Sequence, residues 1–174
     1  MLLANVRKTS PGNDGILYWV FRDCAGGLSQ VISKLINYSL SIGKVPSIWK
    51  IAAITPVPKT NPVSMPSDLR PISKTPILSR LVERLVVRDL IMSNVSPANL
   101  YDQYEFKPTG STTAALVDLT HTVTVMLETN KYVRCLLIVF SKAFDSIDHA
   151  IIVKKIVDLG LDQNVIDWVV TFFE

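Results

Sequence analysis

Leu28, Val31, Ile32, Leu35, Ile36 and Leu40 recur at intervals of three and four residues, the spacing of one helical face. They predict a helix over about 28–41, entered after a break at Gly26-Gly27 and closed by Gly43 and Pro46. A shorter helix is expected before it, from about Leu17 to Cys24. From Trp49 to Lys59 the pattern becomes that of a strand, with Pro56 and Pro58 confining its far end to a sheet edge. Pro76 suits the first turn of a helix running to about Met92. Residues 93–109 read as loop, and Ser111 or Thr112 can cap a helix that continues to about Thr129. Val133 to Phe140 is a short continuous apolar run of the kind a buried strand uses. It breaks at Ser141-Lys142. A helix from about Ile151 to Leu159, a stop at Gly160 and a last helix from Val165 to Phe173 complete the pattern.

With 174 residues, 48% of them apolar, the chain can bury a core of about one domain and is not of a disordered class. The net charge of +3 is mild, but it is unevenly spread. Residues 1–100 carry 12 Lys/Arg against 5 Asp/Glu, and residues 101–174 carry 6 against 10. A basic first part beside an acidic second part suits a nucleic-acid or nucleotide surface next to a cation-binding one. Chance segregation on a solvated surface gives the same count. Cys24 and Cys135 fit no zinc or CxxC spacing, and their apolar neighbours suggest buried, reduced thiols in an intracellular protein, cytoplasmic or nuclear. The first residues lack the apolar core of a signal peptide, and no apolar run approaches the roughly 18 residues of a membrane span.

The chemistry centres on Val139-Phe140-Ser141-Lys142-Ala143-Phe144-Asp145-Ser146-Ile147-Asp148-His149. This segment resembles motif A of reverse transcriptases from non-LTR, LINE-type retrotransposons. The family pattern is Asp-Phe-Ser-Lys-Ala-Phe-Asp, a small residue, an apolar one, Asp and His. Only the first position departs from it. In the family that Asp binds both catalytic metal ions; here it is Val139. Nucleotide addition uses two Mg²⁺ ions about 3.5–4 Å apart to clamp the attacking and leaving oxygens. Mg²⁺ takes hard oxygen ligands in octahedral geometry, and a valine side chain supplies none.

Further blocks extend the resemblance in the right order. Ser10-Pro11-Gly12-Asn13-Asp14-Gly15-Ile16 is similar to the family's Ser-Pro-Gly-x-Asp-Gly-Ile opening. Thr55-Pro56-Val57-Pro58-Lys59 and Leu69-Arg70-Pro71-Ile72-Ser73 resemble its fingers hairpin, expected over about 50–58 and 70–74. The resemblance implies that Lys59 and Arg70 contact the triphosphate of an incoming nucleotide, with Phe140 and Phe144 also at the nucleotide and Phe144 as the steric gate against a 2′-hydroxyl. An Arg fork and a mobile Lys charge suit phosphate. Residues 101–113 resemble a template-supporting block, which makes Gln103, Phe106, Lys107 and Ser111 candidate template contacts. Glu105 stands where the family has Gly, so a Gly-only backbone angle would be strained there. Arg80, Arg84 and Arg88 recur every four residues. They are either template contacts or a solvated face partly paired with Glu83 and Asp89. Asp145 and Asp148 are structural in the family.

The implied fold is α/β (α+β): right-hand polymerase fingers plus the first part of the palm, truncated and helix-rich. Residues 1–132 are expected to form the fingers and early-palm helices, and 133–174 the motif A strand and following palm helices. Family members carry out RNA-templated DNA synthesis with Mg²⁺ and deoxynucleotide triphosphates. With valine at 139 and no later double-Asp motif, the expectation here is a catalytically dead fragment with no metal cofactor. The alternative is a non-catalytic remnant that binds RNA or DNA weakly and without sequence preference through its basic fingers. An active enzyme completed by another chain is a third reading. Self-association through the strand at 133–140 is expected, and membrane association is not.

Overall fold

The computed structural model describes residues 2–107, 109–140 and 146–173. In chain order its helices and strands are α1 (Tyr18–Asp23), α2 (Ala25–Ser41), α3 (Ser47–Lys50), β1 (Ala53–Pro58), β2 (Leu69–Lys74), α4 (Ile77–Leu85), α5 (Thr112–Thr129), α6 (His149–Asp158) and α7 (Gln163–Phe173). Two compact units form: one from the chain up to Asn94 together with the stretch from His149 onward, the other from Val95 to Asp148. The result is helix-rich with one small antiparallel sheet, β1 paired with β2.

In the first unit α4 divides the core. Its Ile77 and Leu81 pack with Leu3, Val6, Phe21, Ala25 and Ile32 from the N-terminal segment, α1 and α2. Its Val82, with Val86 just beyond, packs with Val45, Trp49, Trp168 and Val169. Polar groups in this interior find partners, as burial requires. The Trp168 indole N–H donates to Ser39 Oγ at 2.9 Å, and the Ser39 hydroxyl donates to the Lys44 carbonyl. Lys50 Nζ donates to the Thr171 carbonyl at 3.0 Å, tying α3 to α7.

Ser79 Oγ lies 3.0 Å from the Trp49 carbonyl and 2.9 Å from Glu83 Oε1. One hydroxyl proton cannot serve two acceptors at once. Burial pushes the Glu83 carboxyl above its ordinary value, against the opposing effects of Ser79 and Arg80. A carboxyl with a raised folded pKa favours folding most below its unfolded pKa, and that contribution is lost as pH rises through the folded value. Glu83→Gln supplies an uncharged donor to Ser79 and frees the hydroxyl proton for Trp49. Its thermal midpoint is expected to exceed that of the wild type at pH 7, the difference closing as pH falls below the ordinary glutamate range. Thermal unfolding at both pH values checks it; a lower midpoint for the Gln variant at pH 7 contradicts it.

Several elements depart from the sequence expectation. Gly26 and Gly27 do not interrupt the chain: α2 begins at Ala25. They sit in its first turn, where the N–H groups need no intrahelical partner. Trp49 and Lys50 belong to a helical turn, Ser47–Lys50, and Trp49 packs in the cluster with Val82 and Trp168. The hairpin therefore spans 53–58 and 69–74. α4 stops at Leu85 and the chain continues as a π-helical turn, Val86–Ile91. That wider turn takes Arg88 out of the strict register of Arg80 and Arg84. Both cysteines are exposed, Cys24 at the α1–α2 junction and Cys135 in the stretch after α5, which corrects the expectation of buried thiols.

In the second unit Ser111 Oγ accepts from the Ala114 N–H at 3.1 Å and caps α5, as expected. No residue of α5 is buried. Residues 133–140 do not form the expected strand: they take no ladder pairing among the described residues. A strand draws its stability from neighbours across the ladder, and the described residues supply this run with none. Leu136 is 85% exposed and Val139 92%.

Candidate functional site

The hairpin presents the candidate nucleotide contacts. The ladder sets Val57 opposite Arg70 and Pro58 opposite Leu69. The Lys59 N–H then donates to the Asp68 carbonyl at 2.7 Å, carrying the pairing one step further. Residues two apart along a strand share a face, so Lys59 and Arg70 are diagonal neighbours on one face, at the roughly 7–8 Å spacing of such pairs. Both are exposed. Lys59 Nζ donates to the Ser67 carbonyl at 2.8 Å, and its charge also favours the ionised Asp68 carboxylate. The ten residues 59–68 that join the strands are held by Asp68, whose carboxylate accepts from the Ser64 and Met65 N–H groups, both at 3.0 Å. Those bonds hold the Asp68 carboxyl below its ordinary range.

The arginine stripe splits into three environments. Arg80 reaches back to the N-terminal segment: Nη1 donates to Thr9 Oγ1 at 2.9 Å and Nη2 to the Ser10 carbonyl at 2.7 Å. Arg88 pairs with its neighbour Asp89. Arg84 is exposed and has no ion pair among the described residues. The brace on Arg80 also explains the Ser-Pro-Gly block. A Cβ on Gly12 would strike the backbone of Pro76, so glycine allows the segment to lie against the start of α4.

In the second unit Lys107 Nζ donates to the Leu100 carbonyl at 3.0 Å and lies over the Tyr104 ring. Gln103 donates to the Glu105 carbonyl at 3.1 Å. The Tyr104 phenol is raised from its ordinary value, chiefly by its hydrogen bond to Asp118. The positive backbone angle in this block falls at Phe106, φ 61°, and not at Glu105. Phe106 is 80% exposed. In the motif A segment Phe140 is exposed. Phe144 and Asp145 lie outside the described residues. His149 begins α6, with its ring 5.1 Å from that of Phe173.

The reverse transcriptase (RNA-dependent DNA polymerase) family matches residues 57–173, from the end of β1 through α7. The chain belongs to this family. Among curated proteins it is 31% identical over 173 residues to the retrovirus-related Pol polyprotein from type-2 retrotransposable element R2DM of Drosophila melanogaster, covering 96% of this chain and 15% of that protein. It is 28% identical over 151 residues to the probable RNA-directed DNA polymerase from transposon BS of the same species, covering 86% and 17%. It is 27% identical over 146 residues to the RNA-directed DNA polymerase from mobile element jockey, also of D. melanogaster, covering 82% and 16%. The chain thus spans under a fifth of these three relatives. The likeness to non-LTR retrotransposon reverse transcriptases, drawn first from motif A, stands. No helix among the described residues is long and apolar enough to cross a membrane.

Sequence reasoning placed the hairpin cations together but missed Arg7 and Lys8, which line the groove beside Arg80 and Arg84. Their only sequence signal is a basic pair ahead of the turn-rich opening.

Proposed function

We propose that this chain is the fingers and first palm portion of a non-LTR retrotransposon reverse transcriptase, able to contact nucleotide and template but unable to catalyse nucleotide addition. The single observation that carries the reading is Val139. The family's two Mg²⁺ ions need oxygen ligands, and the side chain at 139 has none. The residues present do not fit the metal pair, so no metal-dependent step is assigned to them. The hairpin face with Lys59 and Arg70 supports a role in holding the triphosphate. Gln103, Phe106, Lys107 and Ser111 support contact with template. By family likeness Phe140 and Phe144 would lie against the nucleotide.

Primer extension tests this. The purified chain, given a primed RNA or DNA template, deoxynucleotides and Mg²⁺ or Mn²⁺, is expected to incorporate nothing. Val139→Asp alone is expected to leave it silent, because these 174 residues hold no adjacent pair of Asp to complete the metal set. Template-dependent incorporation above a heat-denatured control contradicts the reading.

The 174-residue chain is also expected to self-associate through 136–140, five consecutive exposed apolar residues. An uncovered, β-prone apolar run is a template for pairing with another copy. Sedimentation should show concentration-dependent oligomers, and Leu137→Lys with Val139→Lys should shift them to monomer. A monomeric wild type at high concentration counts against it.

A further inference from the structure

The face of α4 that meets the N-terminal segment forms a groove of about 260 Å³. Ile77 and Leu81 make its apolar floor, 2% and 8% exposed. Arg80 and Arg84 stand along one side, Arg7 and Lys8 along the other, and no carboxylate lines it.

Four cations in one groove repel one another, and no ion pair among the described residues joins them to a carboxylate. Arg80 is fixed by two acceptors, Thr9 Oγ1 and the Ser10 carbonyl, both uncharged. It is ordered without a direct carboxylate partner. Arg7, Lys8 and Arg84 have no ion pair among the described residues. The carboxylate nearest in sequence on α4, Glu83, acts on Arg80 at a distance, but it bonds Ser79 and lines the cavity with Trp168 and Phe172, outside the groove. Arg88, the one arginine of the stripe with a carboxylate partner, lies outside the groove. Gly12 packed on Pro76 helps hold the N-terminal wall in place. A preset cluster of guanidinium groups above an apolar floor suits a phosphodiester, which offers charged oxygens to the rim and sugar carbons to the floor.

We infer that this groove binds a backbone phosphate of a single nucleic-acid strand, with Arg84, Arg7 and Lys8 as ligands and Arg80 as the fixed charge. The assignment rests on the reverse transcriptase reading and adds a contact separate from the hairpin cations. It also resolves the arginine stripe: Arg84 is the ligand, Arg80 the brace, and Arg88 takes no part.

The test is binding of a labelled single-stranded oligouridylate, followed by anisotropy across a salt series. It compares the wild-type chain with Arg7→Ala/Lys8→Ala/Arg84→Ala, with Arg84→Lys and with Arg88→Ala. The triple variant is expected to bind roughly tenfold more weakly at low salt, with a log–log salt slope shallower by at least ~0.7, the value for one phosphate on a single strand. Arg88→Ala should match the wild type, and Arg84→Lys should keep most of the slope. Circular dichroism should show the same fold in all four, because the substituted side chains are exposed. If the wild type binds and the triple variant keeps the same slope, the groove assignment fails while nucleic-acid binding stands. A wild type that does not bind at low salt overturns nucleic-acid binding and the groove assignment together. Inorganic phosphate at matched ionic strength separates the remaining source. If it binds the wild type and not the triple variant while RNA affinity is equal in both, the groove holds free phosphate and the strand assignment is wrong.

Discussion

An active reverse transcriptase of this family, given valine at the position of Val139, is expected to lose roughly 10³-fold or more in single-turnover incorporation. The metal pair contributes several kcal/mol of charge stabilisation to phosphoryl transfer, and each 1.36 kcal/mol is a factor of ten. Valine costs the strand nothing: it is β-branched and carries no charge to desolvate. The variant is therefore expected to fold normally and to retain primer–template affinity, with the whole loss in the chemical step. A drop of less than tenfold would show that this position does not hold the metals.

Replacing Trp168 is expected to have the largest effect on stability. Its side chain is 3% exposed and stacks on Phe172, ring centroids 5.8 Å apart. Its N–H reaches Ser39 across the core. Trp168→Ala should cost about 3–5 kcal/mol, a large share of the roughly 5–15 kcal/mol that holds a domain together. Trp168→Phe keeps much of the volume and forfeits the hydrogen bond, worth about 1 kcal/mol, so it should fall between. Urea unfolding followed by circular dichroism measures both. A loss under about 1 kcal/mol for the alanine variant would mean that α7 is not integral to this core.

What the sequence made legible follows the range of the interactions involved. α2, α5 and α7 were readable because their faces or caps are local: the apolar spacing of α2, the Ser111 cap of α5, and for α7 a start after the turn at Gly160, φ 66°. The hairpin was readable as a motif, and its register sets Lys59 and Arg70 on one face. Trp49 was misread as strand because the cluster it packs in is assembled from α4 and α7, distant in sequence. Arg80 read as a template contact or as part of a solvated face partly paired with Glu83 and Asp89, because its partners, Thr9 and Ser10, lie some seventy residues earlier. The groove with Arg7 and Lys8 depends on the same long-range packing. The apolar run at 133–140 has strand composition, but pairing is a property of neighbours, and the described residues supply none.

The most direct measurement grafts residues 10–173 of this chain into an active non-LTR relative in place of the matching segment, once with Val139 and once with Asp at that position. Primer extension with Mg²⁺ is then read on both. The Val139 graft should be silent and the Asp graft active, since the relative supplies the remaining carboxylates. Incorporation by the Val139 graft at a rate near that of the Asp graft would contradict the claim that this one side chain removes the metal site.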